Sequence, residues 1–529
     1  MIKVKSILWM MAAAIAGGIT MASCTSSDSG SGPGIPDSGS GPSIPRDNTP
    51  VDYTIMFYSA GGENLDRETE SDLLKAAKAL QASDKQVRFM VQYKYSTQEG
   101  INKSYSGGDD VPCGVAGGLY RFELLPSHIS QHDVLDYFKN DMLYGNQQSA
   151  SQIYRADSIT SFINYCQRNA PAKNYILMFS DHGAGYAVWD DFPKTRGIVS
   201  DKFHDGNPDI SVCDIRDAIK NSNMKHVKMI NFDACLMNTL EVISEVADVT
   251  DYVMASSHIS NGGNYTELVN YLRGVNDDAA FEKNMSDYLN GTIQGMYNTM
   301  NEGDTNSKYA AGPNEKKRCD WALTNTAKFK AGVLPAMKAF TDKLVSEYNA
   351  NNFTDLSKLE YAANNCYRPS VDNDLYDMGQ YVTLLAKANP NLDAEATALK
   401  TAMENAQVCH YYTNQVNGDF NNMDYKRLTY TVNLGAKVNL YGDNYYVLRY
   451  SSPDDETGKI LCYDSNGLSF YYKVADGSWE LGKVDEINAN FAWENTYETT
   501  IFDKATKWSR WLKLNPYFPI NNPPFTLCP

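Results

Sequence analysis

The sequence predicts an α/β fold in which helices cover both faces of a mostly parallel β-sheet. Between residues 53 and 256, short apolar runs alternate with amphipathic stretches of helical period, which is the pattern of strands joined by crossover helices. From residue 328 the pattern is mainly helical, and from residue 428 it becomes alternating and rich in aromatic residues. We therefore expect an added helical layer and a β-rich C-terminal portion.

Each element follows from a local pattern. Apolar runs at 53–59, 87–93, 175–180, 227–232 and 252–256 predict the strands of the main sheet. Amphipathic segments at 67–81, 157–168 and 215–221 predict helices between them, and 328–408 supplies the helical layer. Alternation at 428–434 and 468–474 predicts strands of the C-terminal portion.

The first 50 residues are expected to lie outside the fold. Residues 1–23 predict a secretory signal, since two lysines precede an apolar run shorter than a typical membrane-spanning helix. The run ends in Met-Ala-Ser-Cys, which resembles the bacterial lipobox, so Cys24 is predicted to receive lipid and to begin the mature chain. The alternative is an ordinary signal peptide with an incidental cysteine. Residues 24–50 repeat a Gly-, Ser- and Pro-rich segment and predict a flexible tether.

Composition excludes one class of partner. The formal net charge is −17, which argues against nucleic acid, because a binding surface for it needs a basic face. Ten cysteines in 529 residues, without a Cys-x-x-Cys pair, are too sparse for a disulfide scaffold. With a lipid anchor on Cys24, the chain is predicted to be exported and held at the periplasmic face or the surface of a bacterium.

Two predicted strands end in residues that can carry nucleophilic catalysis. The third strand runs into Asp-His182-Gly183, and the fourth runs into Asp233-Ala-Cys235. Side chains just past the carboxyl ends of neighbouring parallel strands converge on one crevice. A thiol needs a nearby imidazole to form thiolate and to protonate a leaving amine, so we expect Cys235 to be the nucleophile and His182 the general acid and base. The backbone N–H groups of Gly183 and Cys235 are candidates for the oxyanion hole.

Each residue alone has an ordinary structural explanation. A cysteine at a strand end is more often a buried small residue, and a histidine in a turn is more often a satisfied polar group. The occurrence of both at matched strand ends, each beside a small residue, favours the catalytic interpretation.

These segments resemble the clostripain family of caspase-like cysteine peptidases, relatives of gingipains, legumains and caspases. The resemblance covers roughly residues 53–265, extends more loosely to 374–378, and depends on 54–65, 176–185 and 232–236 together. It implies a caspase-like fold and an endopeptidase that cleaves after Arg or Lys, with Asp233 at the floor of the specificity pocket. A buried carboxylate selects such side chains through charge-assisted hydrogen bonds. The alternative for Asp233 is to cap the helix after Cys235.

The pocket segment departs from the family pattern. The family usually has an acidic, Pro-Gly-Gly-Trp-like stretch after the fifth strand, whereas residues 256–265 here contain no acid before Glu267. Ser256 and His258 are therefore candidate substrate-binding residues that would alter the pocket. Family members are often activated by self-cleavage between the histidine and the cysteine. The polar stretch 189–208 predicts a nick after Lys194, Arg196 or Lys202.

The local patterns and the resemblance together divide the chain into a signal peptide (1–23), a tether (24–50), a caspase-like peptidase domain with a helical extension (51–410) and a β-rich C-terminal portion (411–529). The predicted partners are protein or peptide substrates and, through the lipid, a membrane. No cofactor is expected to be required. The acidic stretches 109–110, 190–191 and 454–456 could bind calcium weakly but lack the EF-hand pattern, and no metal ligand is assigned.

Two other functions compete with the peptidase. One is a catalytically silent surface lipoprotein that binds peptide or glycan. The other is acyl transfer of a sortase-like or amidase kind, although such folds need a different order of strands and residues. The aromatic-rich end, with Trp508 and Trp511, is interpreted as packing against the main domain rather than as a ligand site.

Overall fold

The fold is known from a computed structural model, which describes part of the chain. The described residues are 49–62, 64–80, 86–106, 112–125, 142–144, 151–187, 196–199, 210–258, 260, 262–299, 319–355, 357–367, 375–413, 429–433, 438–441, 445–449, 460–464, 469–473, 479–483 and 500–514. The expected signal peptide, Cys24 and most of the tether lie outside these ranges. So do Lys194, Lys202 and the three acidic stretches considered for calcium.

Eighteen strands are described. They are β1 (Val51–Ala60), β2 (Val87–Lys94), β3 (Leu119–Leu124), β4 (Met142–Tyr144), β5 (Ala172–Ser180), β6 (Gly183–Ala187), β7 (Arg196–Ile198), β8 (Val227–Asp233), β9 (Thr250–Ala255), β10 (Asp320–Asn325), β11 (Leu375–Asp377), β12 (Gln407–Tyr412), β13 (Thr431–Asn433), β14 (Val438–Tyr441), β15 (Tyr445–Arg449), β16 (Ile460–Asp464), β17 (Ser469–Lys473) and β18 (Trp479–Lys483).

The described α-helices are α1 (Asp66–Ala79), α2 (Gln98–Ser104), α3 (Ala156–Asn169), α4 (Val212–Asn221), α5 (Leu240–Val246), α6 (Tyr265–Leu272), α7 (Asp278–Thr299), α8 (Leu334–Asn349), α9 (Ser357–Asn365), α10 (Met378–Ala388), α11 (Asp393–Ala406), α12 (Ile501–Thr506) and α13 (Ser509–Leu514). A short turn of helix (Thr326–Lys328) and a π-helical turn (Phe329–Val333) lead into α8. Within the described ranges, no helix is both long and apolar enough to cross a membrane.

The main sheet has nine described strands in the order β12-β10-β9-β8-β5-β1-β2-β3-β4. The five central strands, β9 to β2 in this order, are parallel, and the strands on either side of them are antiparallel. The five strands predicted from apolar runs correspond to these five central strands. The predicted α/β fold with a mostly parallel sheet is therefore confirmed.

The sheet separates two hydrophobic cores, which explains why its strands are apolar throughout. In β5, Leu177 and Phe179 belong to the core that contains α3, α4 and α5, while Ile176 and Met178 belong to the core that contains α1, α6 and α7. All four side chains are fully buried. Strand residues alternate between faces, so a strand covered on both sides has no polar positions in its centre. The predicted helices on both faces are present.

The helical layer formed by α8, α10 and α11 joins the first core through residues such as Met337, Leu385 and Leu399. The C-terminal helices α12 and α13 pack against the same core. Trp508 and Trp511 are fully buried, and Trp511 Nε1 donates to Tyr381 Oη at 3.1 Å. These two tryptophans therefore pack against the main domain.

The remaining C-terminal strands form a five-stranded antiparallel sheet, β14 to β18, and β13 pairs with β11. β12 pairs with β10 at the edge of the main sheet, so the boundary expected between residues 410 and 411 falls within a strand of that sheet. Local alternation does not reveal this, because an edge strand of the main sheet and a strand of a separate sheet have the same period.

Candidate active site

The two candidate catalytic residues follow paired positions of adjacent strands. β5 and β8 are parallel neighbours, and Ser180 at the end of β5 pairs with Asp233 at the end of β8. His182 and Cys235 each lie two residues further along the chain. The Ser59 hydroxyl, near the end of β1, donates to the carbonyl of Ser180. This hydrogen bond connects β1 to the strand end that precedes His182.

Gly183 brings the two loops into contact. A Cβ atom at this position would lie 2.5 Å from the carbonyl oxygen of Cys235 and 2.8 Å from Cβ of Ala234. Both separations are shorter than van der Waals contact permits, so glycine is required by close approach of the backbones. The backbone that follows His182 is therefore in direct contact with the cysteine.

The buried position of Cys235 changes the acidity of its thiol. Burial raises its pKa, and the charge of Asp233 adds to this effect, while backbone N–H groups of Ser260 and Gly183 oppose it. The N–H of Ser260 donates to Cys235 Sγ at 3.3 Å. Cys235 is a free, partly buried thiol. A raised pKa means that a nearby base has to remove the proton before the sulfur can attack a carbonyl carbon.

A hydrogen bond to Asn64 fixes the orientation of the His182 ring. Its Nε2 lies 3.1 Å from Oδ1 of Asn64, in the loop between β1 and α1. An amide oxygen only accepts hydrogen bonds, so Nε2 carries the proton and Nδ1 keeps its lone pair. Burial lowers the pKa of His182, which favours this neutral form. Asn64 lies in the 54–65 segment that carried the family resemblance, but it was not predicted as a site residue.

Asp233 is a buried carboxylate at the end of β8. Its Oδ2 accepts hydrogen bonds from Tyr265 Oη at 2.7 Å and from the N–H of Gly263 at 3.3 Å. Its Oδ1 is buried and has no hydrogen-bond partner among the described residues. Burial raises its pKa to about 6, and the nearby charge of Asp72 contributes to the shift. A buried oxygen without a partner is unfavourable unless a ligand supplies a donor.

Asp233 does not cap the helix that follows Cys235. The helix after Cys235 is α5, and its N-cap is Thr239, whose hydroxyl accepts from the N–H of Val242 at 3.0 Å. Asp233 lies in a strand, six positions before that cap. Its carboxylate is directed to α6 and to the loop before it.

The structure places Ser256 and His258, the predicted substrate-binding residues, against Asp320. Both side chains are buried, and both hydrogen-bond Asp320, from Ser256 Oγ at 2.9 Å and from His258 Nδ1 at 2.8 Å. His258 Nε2 lies 2.6 Å from Tyr367 Oη. The reason is that Asp320 begins β10, the strand next to β9, and no local feature of residues 256–258 predicts this neighbour.

Asp320 is the centre of a buried network that supports the Cys235 loop. His410 Nε2 lies 2.6 Å from Asp320 Oδ2. Burial by itself would raise the pKa of Asp320, but the two histidines outweigh burial and hold it well below its usual range. The carbonyls of His258 and Ser256 in turn accept from the N–H groups of Leu236 and Asn238, both at 2.9 Å.

The backbone next to Cys235 is strained, and the Asp320 network holds it in place. Leu236, the residue after Cys235, has a φ of 66°, which lies in the left-handed region that a leucine rarely adopts. Its N–H is held by the carbonyl of His258. The network of Asp320 therefore fixes the conformation of the chain next to the candidate nucleophile.

Of the predicted self-cleavage positions, the structure describes the backbone of Arg196 alone. Arg196 begins β7 and pairs with Ala187 of β6, the strand that starts at Gly183. No group of three or more His, Cys, Asp or Glu side chains in the described part of the chain is arranged to hold a metal ion.

The fold and the candidate site together define the class of protein, an α/β cysteine endopeptidase. The sequence matches the model of the clostripain family over residues 145–514, which is more than half of the chain, and the chain belongs to this family. The predicted family and enzyme class are confirmed. The match extends well beyond residue 378, where the sequence resemblance ended, and reaches α13.

Solved structures are similar to the chain in fold. A secreted cysteine protease from Bacteroides thetaiotaomicron, in complex with an irreversible peptide inhibitor, has a TM-score of 0.50 and 16% identity, and covers 86% of this chain and 99% of its own. An inactive zymogen protease from Parabacteroides distasonis has a TM-score of 0.45 and 15% identity. This match covers 87% of this chain and 99% of the zymogen. A comparison with curated proteins found no significant match.

Proposed function

We propose that this cysteine endopeptidase uses Cys235 as its nucleophile and His182 as its general acid and base, and that it cleaves after Arg or Lys. The observation that carries the proposal is the close approach of Gly183 to Cys235. It brings the backbone after the histidine against the cysteine, at the end of two paired parallel strands.

The mechanism begins with proton transfer. Nδ1 of His182 accepts the proton of the Cys235 thiol, and the thiolate attacks the scissile carbonyl carbon. The new oxyanion accepts hydrogen bonds from the backbone N–H groups of Gly183 and Cys235. Gly183 lies where the two loops meet, beside Cys235, so its N–H is a candidate donor at the place of the reaction.

The second half returns the enzyme to its starting state. The His182 imidazolium donates its proton to the leaving amine, the C–N bond breaks, and a thioester to Cys235 remains. Water then gives a proton to His182 and its oxygen to the thioester carbon. The C–S bond breaks, the carboxylic acid leaves, and Cys235 regains its proton. Asn64 accepts from Nε2–H throughout and keeps Nδ1 directed to the reaction.

The preference for a basic side chain is supported by Asp233. Its Oδ1 is a buried acceptor without a partner among the described residues, and a guanidinium or ammonium group supplies the missing donor. A neutral side chain of similar length leaves the carboxylate uncompensated, and this gives the discrimination.

We also propose self-processing between His182 and Cys235. Arg196 is a candidate cleavage position that lies in a strand paired with the one following His182, so this backbone is near the reacting groups. Lys194 and Lys202 are the alternatives.

The proposed location is outside the cytoplasm, with lipid on Cys24 as the membrane anchor. The support is the Met-Ala-Ser-Cys sequence after an apolar run, and the Gly-, Ser- and Pro-rich segment that follows. The solved protease from B. thetaiotaomicron is described as secreted. Growth with an alkyne-tagged fatty acid should label the wild-type protein and leave Cys24→Ala unlabelled. Equal labelling of both would reject the anchor.

The test of the peptidase compares fluorogenic peptides that end in Arg, Lys, Asn or Asp, with wild type against Cys235→Ala. Turnover after Arg or Lys that is lost in Cys235→Ala supports the whole proposal. Turnover after Asn or Asp retains the nucleophile and rejects the role of Asp233. Equal turnover by both proteins rejects Cys235.

A further inference from the structure

A second carboxylate lies beside Asp233 and comes from a different element. Asp72 is in α1, and only 18% of its side chain is exposed. Burial raises the pKa values of Asp233, Tyr265 and Tyr288, and the charge of Asp72 adds to each of these shifts. Sequence patterns gave no reason to connect α1 with residues near 233, because 161 positions separate them.

Gly262 and Gly263 connect the two carboxylates. A Cβ atom on Gly262 would lie 3.6 Å from Asp72 Oδ2, and the N–H of Gly263 donates to Asp233 Oδ2 at 3.3 Å. Gly262 has a φ of 80°, a conformation that favours glycine. α1 is fixed here by α6, since the Thr266 hydroxyl donates to the carbonyl of Lys75 at 2.9 Å.

The two acids lack a shared cation. Asp233 is 4% exposed, and its Oδ1 has no partner among the described residues. Asp72 Oδ1 is 2.7 Å from Nζ of Lys75, whose side chain is 52% exposed. Two nearby carboxylates disfavour each other's charge, and a cation placed between them removes that penalty. The buried orphan oxygen is the observation that points to such a ligand.

We propose that Asp72 is a specificity-determining residue that, with Asp233, binds the guanidinium group of an arginine before the cleaved bond. A guanidinium is a planar fork with five N–H donors and can meet two carboxylates at once, whereas an ammonium is a compact point charge. The pocket therefore prefers Arg to Lys. α1 supplies the acid that residues 256–265 lack. This inference rests on the proposed function.

The kinetic test uses peptides with Arg, Lys or citrulline, the neutral analogue of arginine, before the cleaved bond. In Asp72→Asn we expect kcat/KM for the Arg peptide to fall about 10- to 100-fold, mainly through KM, because one charge-assisted contact is lost. The fall for the Lys peptide should be smaller, and citrulline should be unaffected or improved. Glu99→Gln removes the same charge from an exposed position of α2 and should leave all three values within about twofold.

An equal loss with all three peptides, or an unchanged Arg to Lys ratio, would overturn the role of Asp72. The Lys75→Met variant separates specificity from helix stability. If Asp72 served only to hold Lys75, this variant would reproduce the loss in Asp72→Asn. We expect Lys75→Met instead to bind the Arg peptide as well as wild type or better, because a competing cation is removed.

A binding measurement separates this inference from the proposed chemistry. Cys235→Ala cannot form a thioester but keeps the pocket, so titration calorimetry with agmatine and cadaverine measures cation binding alone. Agmatine should bind more tightly than cadaverine, and adding Asp72→Asn should weaken agmatine at least tenfold. Absence of agmatine binding to Cys235→Ala would overturn the inference. Agmatine binding without turnover by wild type would retain the pocket and reject the proposed catalytic function.

Discussion

Oδ1 of Asn64 lies 3.1 Å from Nε2 of His182, although the two residues are 118 positions apart in the sequence. Asn64 follows β1 and His182 follows β5, and the two strands are parallel neighbours paired up to Ser59 and Ser180. The pairing brings an acceptor to Nε2 of the imidazole and leaves Nδ1 for the proton transfer that we propose. Asn64 is thus a positioning residue for His182.

Removing the amide should slow the reaction without weakening substrate binding. For Asn64→Ala we expect kcat to fall about 10- to 100-fold, since general acid–base catalysis contributes about 10²–10⁴-fold and depends on the correct tautomer. KM should change little.

The matched variant Asn64→Asp should shift the pH profile. A carboxylate beside the ring favours imidazolium and raises the pKa of His182, so the acidic limb of kcat should move to higher pH. A profile that stays in place would show that Asn64 does not contact the working histidine.

Asp233 is predicted to reduce stability at neutral pH. Its pKa is raised to about 6 in the folded chain, mainly by burial, from an ordinary value of 3.8. The folded state holds the proton more tightly, so stability is complete below about pH 4 and falls as pH rises through about 6. Asp233→Asn should raise the free energy of unfolding by up to about 3 kcal/mol at pH 7 and have little effect at pH 4.

Urea unfolding at the two pH values measures this difference, and the same variant should lose turnover of Arg peptides. A gain in stability together with a loss of activity is the signature of a carboxylate kept for its ligand. Equal destabilisation at pH 4 and pH 7 would instead assign Asp233 a purely structural role.

The contribution of Asp320 to the stability of the fold should depend on pH in the opposite sense to that of Asp233. Its pKa is held well below the ordinary value by His258 and His410, despite burial. The ionised carboxylate therefore stabilises the fold above about pH 4, which is the pKa of an aspartate in the unfolded chain. This stabilisation is lost only as the pH falls towards the lower pKa of Asp320 in the folded chain. Asp320→Asn should destabilise the fold by about 3–5 kcal/mol, as breaking a buried charge pair does.

The control for Asp320 is Asp342→Asn, which removes an exposed carboxylate paired with Lys338 and Arg510. It should cost less than about 1 kcal/mol. Asp320→Asn should also reduce the rate at which iodoacetamide inactivates the enzyme in native buffer, because the backbone beside Cys235 loses its support. Unchanged inactivation would separate Asp320 from the active site.

Gly183 is predicted to tolerate no side chain. In Gly183→Ala, the Cβ atom overlaps the carbonyl of Cys235, so the loops must separate and the candidate oxyanion donors move. We expect kcat/KM to fall at least about 100-fold, which is the effect of losing an oxyanion-hole donor. Gly291→Ala in α7 is the control, since its Cβ meets nothing within 4 Å, and it should stabilise the helix by about 0.5–1 kcal/mol.

Self-processing should depend on Cys235. Mass spectrometry of the purified wild-type protein should reveal a new N-terminus after Lys194, Arg196 or Lys202, and Cys235→Ala should remain intact. Arg196→Gln should abolish the nick if Arg196 is the main site, whereas Lys194→Gln and Lys202→Gln should not. Intact wild-type protein with full activity would contradict this prediction.

The sequence by itself determined the central sheet and the two candidate catalytic residues. The five parallel strands are buried on both faces, so their apolar runs are continuous and can be read without knowing their neighbours. His182 and Cys235 follow directly from the ends of two such runs, because the carboxyl ends of parallel strands share one edge.

Only the tertiary structure decided which other side chains lie around the ends of these strands. Asn64, Asp72 and Asp320 reach the site from a loop, a helix and an outer strand, and their local sequences follow the ordinary patterns of those elements. Ser256 and His258 are directed to Asp320 because β10 lies beside β9. Contacts of this kind depend on strand order and on packing across the sheet, whereas periodicity records only whether a residue is buried.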